Sequence, residues 1–313
     1  MIRGVRMNIQ VVFPVLISFA ISVILGPVII PFLRKLKMGQ TERVEGVQSH
    51  LKKAGTPTMG GVIFLIAAVV TSLFYVKDYP AIIPVLFLTL GFGIIGFLDD
   101  YLKVVLKRSD GLLAWQKMLC EIVVTAVFAV YLIKHQVSLD MIVPFSHHML
   151  QLSWLAVPIL FLAVIGTVNG VNFTDGLDGL AGGISAIILV VIACLSVIEG
   201  RLDIQTMSLI LAGATMGFLL YNSHPASIFM GDCGALFLGF IISAISLLGF
   251  KSSTIMTLAL PILLLAVPIV DTIGAILRRK LSGHKFSEAD KNHLHNLLMQ
   301  RFGHRNTVII LYV

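Results

Sequence analysis

Apolar residues in this chain gather in long runs, and polar residues gather between them. A membrane-crossing helix needs about 20 mostly apolar residues. Runs approaching that length cover residues 11–33, 59–76, 81–98, 118–133, 154–168, 177–198, 207–220, 233–250 and 254–277. A tenth begins near Thr307 and is cut off at Val313. The pattern predicts an all-α polytopic membrane protein: one integral-membrane domain over residues 1–313, with about ten transmembrane helices. The first run is long enough to span and carries no small-residue cleavage signature, so it reads as a retained helix. No internal repeat or low-complexity segment interrupts the series.

Composition agrees with this reading. The chain is 57% hydrophobic and only 12% charged, with a mean hydropathy of +0.97. A soluble domain carries about 25% charged residues. Cys120, Cys194 and Cys233 lie in or beside apolar runs, without metal-knuckle or disulfide spacing, and read as small apolar packers.

The net charge is +7. In a membrane protein, basic loops report orientation and attraction to anionic lipid, so nucleic acid is not an expected partner. Of 23 Lys and Arg residues, only Arg3, Arg6, Lys77, Lys134, Arg201 and Lys251 fall in one set of alternate loops. The rest fall in the other set, at 34–58, 99–117, 169–176, 221–232 and 278–306. That second side is predicted to be cytoplasmic. Every notable polar cluster lies on it. The longest outward loop, 134–153, carries adjacent His147 and His148, whose side chains would point apart on a regular element.

The densest polar stretch is 168–183, VNGVNFTDGLDGLAGG, between two apolar runs. Carboxylates at a hydrocarbon boundary are costly unless they bind a cation, a proton or a substrate. Asp175 and Asp178 are three apart and would share a face on a helix. Asn172 could add an oxygen ligand. The plainer alternative is a helix start capped by Thr174 or Asp175.

Asp99 and Asp100 end the third run, where paired carboxylates repel unless a cation sits between them. Lys103 could pair with Asp99 at helical spacing. A polar helix end is the plainer alternative. Asp232 lies in a loop shaped by Pro225 and Gly231, where it could cap the next helix or bind a cation. Phe229 could stack on a planar base or serve as an interfacial aromatic. Lys52 and Lys53 beside a Gly, Thr and Pro loop suit a phosphate, or simply positive-inside orientation. His293 and His295 could serve a phosphate, a metal or only the surface. Oxygen ligands without thiolates favour Mg²⁺ or Mn²⁺ over Zn²⁺. Such a cation with lysines at a membrane surface suggests phosphoryl transfer.

Five motifs together resemble the polyprenyl-phosphate N-acetylhexosamine-1-phosphate transferases. They are GTPTMGG at 55–61, DDYLK at 99–103, NFTDGLDGLA at 172–181, FMGDCG at 229–234 and DKNHLH at 290–295. The resemblance implies ten transmembrane helices in a bacterial plasma membrane, an active site on the cytoplasmic face, and Mg²⁺ (with Mn²⁺ as a substitute). It implies that a polyprenyl phosphate attacks the β-phosphate of a UDP-linked amino sugar and releases UMP. A homodimer is allowed and not required.

Within the family, SHLKKAGTPTMGG at 49–61 and SDGLLAWQK at 109–117 are similar to the phospho-N-acetylmuramoyl-pentapeptide transferases. Those enzymes act on undecaprenyl phosphate to make the first lipid intermediate of peptidoglycan synthesis. The last loop, ADKNHLHNLL, is instead similar to the N-acetylglucosamine-1-phosphate transferases of wall teichoic acid and O-antigen synthesis. UDP-N-acetylglucosamine is therefore the alternative donor.

Carried over by position, the resemblance assigns Asp99, Asp100, Asp232, His293 and His295 to catalysis: an aspartate either deprotonates the lipid phosphate for direct attack, with Asp99 the favoured base, or acts as a covalent nucleophile. It assigns Asp232, Asp100 and Asp175 to the metal. Lys53, Thr58, Lys103, Lys117, Asn172, Asp175, Asp178, Asn222 and Phe229 are assigned to substrate, with Asn222 and Phe229 holding uracil.

Two rivals fit less well. A coupled transporter would place ionisable residues near the bilayer midplane on broken helices. Here only Glu121 and Asp271 enter the runs, each within two turns of a cytoplasmic end. A CDP-alcohol phosphotransferase would follow its spaced aspartates with Ala-Arg and further acids, whereas DGLDGLAGG leads into an uncharged helix.

Overall fold

The computed structural model describes residues 9–36, 56–108, 111–137, 141–142, 149–150, 152–249 and 294–312. The described chain is all-helical apart from one two-residue pairing. Its helices are α1 (Ile9–Lys35), α2 (Gly61–Leu73), α3 (Ile82–Val104), α4 (Ala114–Lys134), α5 (Ala156–Thr174), α6 (Leu180–Ile198), α7 (Leu202–Asn222), α8 (Gly231–Gly249) and α9 (Leu294–Tyr312). Strands β1 (Met141–Ile142) and β2 (Met149–Leu150) pair antiparallel between α4 and α5. Among the described residues, seven helices are long and apolar enough to cross a membrane. The run expected at 254–277 lies outside the described residues.

Helix α8 is the axis of the bundle. Of its most apolar window 89% is buried, against 28% for α1. Helices α3 and α5 pack along α8, α7 packs between α1 and α6, and α2 bridges α7 and α8. Aromatic contacts fill the joints. Phe92 of α3 stacks on Phe240 of α8 at 4.5 Å, and Phe64 of α2 meets Phe218 of α7 edge-on at 5.2 Å. Without a hydrophobic drive between helices in lipid, close backbone approach carries much of the packing. Two glycines permit it at the site. A Cβ on Gly96 of α3 would strike the Asp232 backbone, and one on Gly61 of α2 would strike Gly234.

Three expectations need correction. The run at 59–76 forms only the 13-residue helix α2, which rises about 20 Å and is short for a full span. Met59 has φ 70° and stays outside the helix, because 57–61 pairs with the 229–230 backbone. Residues 169–174 are the end of helix α5, not a loop. The stretch after them is not capped by Thr174 or Asp175. The Thr174 hydroxyl bonds back to the Gly170 carbonyl, and Gly179, with φ 81°, precedes α6.

Candidate active site

The site is built where α3, α4, α5 and α8 meet. Asp232 sits in the first turn of α8 and receives donors from three other helices. Lys103 of α3 reaches its Oδ2 at 3.1 Å, and Lys117 of α4 reaches the same oxygen at 3.0 Å. Asn172 of α5 donates to Oδ1 at 2.8 Å. One carboxylate therefore ties together residues 129, 115 and 60 positions away.

Asp99 and Asp100 approach from α3, and both are buried. Asp99 takes the Lys103 ammonium at 2.5 Å, which is the expected four-residue pairing. Its other oxygen accepts the Leu112 N–H at 2.6 Å. Gly111, with φ 58°, brings that backbone close; a Cβ there would strike Asp99. Asp100 accepts the Cys233 N–H at 3.0 Å. Asp100 and Asp232 thus meet at the N-terminus of α8, where orphan N–H groups favour negative charge.

Asp175 follows α5 and faces Asp232 and Asp100. Burial, then those two neighbouring charges, pushes its carboxyl well above the ordinary carboxylate range, against a hydrogen bond from Gly231. Thr58 is buried beside Gly231, and its hydroxyl has no partner among the described residues. Acids in excess of lysines, oxygen donors alone and an orphaned hydroxyl fit a hard divalent cation with a phosphate.

Other expected residues fall differently. Asp178 does not share a helix face with Asp175, because 175–179 is a turn. Its carboxylate instead lies 2.9 Å from His224 Nδ1. His224 stacks on His304 of α9 at 4.1 Å, and the three potential ligand atoms lie within 4.8 Å of one another. Asn222 accepts from the Gly179 N–H with Oδ1 and donates one N–H to the Ile228 carbonyl. These two bonds join the turn before α6 to the loop before α8. Phe229 is half-buried, and its backbone pairs with Pro57 and Gly60. Lys53 and His293 lie outside the described residues. His295 is in α9, with its side chain outside them.

Sequence reasoning missed the Leu112 N–H, because no side chain announces a backbone donor. It missed His224 and His304, which lie 80 positions apart and meet only through the docking of α9. That docking also uses the Tyr312 hydroxyl, which donates to the Gly179 carbonyl at 2.6 Å.

Comparison with known proteins agrees with the motifs. The profile of glycosyl transferase family 4 matches residues 82–250, and the phospho-N-acetylmuramoyl-pentapeptide-transferase signature 1 matches 53–65. A phospho-N-acetylmuramoyl-pentapeptide-transferase of Acetivibrio thermocellus is 43% identical over 91% of this chain and 86% of its own. Those of Caldicellulosiruptor bescii and Bacillus subtilis are 42% and 41% identical over about three quarters of both chains. The chain belongs to glycosyl transferase family 4, among its phospho-N-acetylmuramoyl-pentapeptide-transferases.

Proposed function

We propose that the protein transfers phospho-N-acetylmuramoyl-pentapeptide from its UDP-linked donor to undecaprenyl phosphate at the cytoplasmic face of a bacterial plasma membrane. The carrying observation is Asp232, which gathers Lys103, Lys117 and Asn172 onto one carboxylate beside Asp99 and Asp100. Near-full-length relatives carrying that enzyme name support the choice of donor.

In this reading an oxygen of the lipid phosphate attacks the β-phosphorus of the donor. The bond from that phosphorus to the bridging oxygen breaks, and UMP leaves. Lys103 and Lys117 stand where two ammonium groups can meet the diphosphate charge. Asp99 or Asp100 takes the proton of the lipid phosphate. Asp232, Asp100 and Asp175 would hold Mg²⁺, or Mn²⁺, which when bound neutralises charge developing on the diphosphate.

The DKNHLH loop at 290–295 favours UDP-N-acetylglucosamine as a second reading. UMP release from purified protein with undecaprenyl phosphate separates the two. Turnover with the pentapeptide donor alone supports the proposal. Turnover with UDP-N-acetylglucosamine alone transfers the protein to the second reading. EDTA is expected to stop the reaction and Mg²⁺ to restore it; indifference to chelation removes the cation.

A further inference from the structure

Glu121 is a buried acid that the mechanism above does not use. It lies on α4 one helical turn after Lys117 and is fully buried. Its Oε2 accepts the Asn169 side-chain N–H at 2.8 Å. The same Asn169 nitrogen donates to the Ile165 carbonyl at 2.9 Å. Two acceptors around one nitrogen fix the orientation of the amide. Asn169 lies on α5 one turn before Asn172.

These contacts close a ring. Lys117 and Asn172 grip the two oxygens of Asp232, and one turn deeper Glu121 and Asn169 grip each other. The outer pair of contacts can hold its geometry only while α4 and α5 keep their spacing and rotation. Few other polar contacts join these two helices among the described residues. A buried acid is retained in an apolar segment at a cost unless it has a task. Its Oε1 has no partner among the described residues, so local satisfaction of the carboxylate does not explain its presence.

We propose that Glu121 and Asn169 form a brace that positions Lys117 and Asn172 on Asp232. Glu121 is thus a positioning residue for the transfer reaction, not a group that touches substrate. The inference rests on the proposed function for its assay and on geometry alone for its content.

The test is a reciprocal swap. Glu121→Gln with Asn169→Asp keeps one donor, one acceptor and the same net charge, with the roles exchanged. Asn169→Asp alone sets two acceptors against each other. The single variant is expected to lower kcat about tenfold or more, with KM for the UDP donor little changed. The double variant is expected to recover most of that loss. Glu121→Gln alone keeps an acceptor and is expected to stay within about threefold of the parent. A double variant no better than Asn169→Asp, or a loss confined to KM, overturns the brace.

Wild-type protein silent with both donors would sink the proposed function and leave the brace testable. Mn²⁺ affinity then provides the readout. The uncharged change Asn169→Leu is expected to weaken it severalfold and the charge-neutral swap to match the parent. Equal affinity in all three overturns the brace.

Discussion

The two ends of the bundle handle charge in opposite ways. At the end away from the site, Arg201 and Asp203 make a bidentate pair at 2.9 and 2.7 Å, and Arg201 also donates to the Leu248 carbonyl. One base meets one acid, and the guanidinium needs nothing further. At the end that holds the site, Asp99, Asp100, Asp175 and Asp232 crowd together with only Lys103 and Lys117 among them in the described residues. The first arrangement is complete as folded. In the second, carboxyl groups outnumber ammonium groups, and Asp175 answers by holding its proton to higher pH. A balanced pair fastens a fold; an unbalanced cluster awaits a ligand.

This contrast is sharpest at Asp232. Asp232→Asn removes the carboxylate that both lysines share. Turnover is expected to fall by about a thousandfold or more, while the protein still folds in detergent. Near-normal turnover would break the contrast.

Gly96→Val tests the same cluster through packing. The added side chain meets the Asp232 backbone and forces α3 away from α8, parting Asp99 and Asp100 from Asp232. UMP release is expected to drop about a hundredfold, with a loss of about 1–3 kcal/mol in stability. A variant with full activity would show that the close approach is unnecessary.

Lys117→Met removes one of two ammonium groups, so a smaller fall of about tenfold to a hundredfold is expected in kcat. Equal activity would assign the diphosphate to Lys103 alone.

The smallest effect belongs to the Arg201–Asp203 pair. Arg201→Met together with Asp203→Asn should leave UMP release unchanged and cost on the order of 1 kcal/mol in stability, because the pair is partly exposed. A strong fall in turnover would show that the two ends are coupled.

The architecture was legible because long apolar runs have few alternatives in a membrane. The Asp99–Lys103 pairing was legible because helical spacing holds through the end of α3. The same rule failed at Asp175 and Asp178. Gly176 and Gly179 flank a turn there, and the two carboxylates diverge toward Asp232 and His224. The end of α5 was misplaced because Asn169 and Asn172 look like loop residues in sequence. In the fold, each spends its amide on an acid of a neighbouring helix. Polar residues at the end of a span signal a site; spacing alone does not say which partner each will meet.

The cation proposed for the Asp232 cluster would meet its excess of carboxyl groups over lysines. Mn²⁺ binding, followed by electron paramagnetic resonance in the parent protein and in Asp232→Asn, tests it most directly. One bound Mn²⁺ is expected in the parent, displaced by Mg²⁺, and none in the variant. Unchanged Mn²⁺ binding in Asp232→Asn would contradict it.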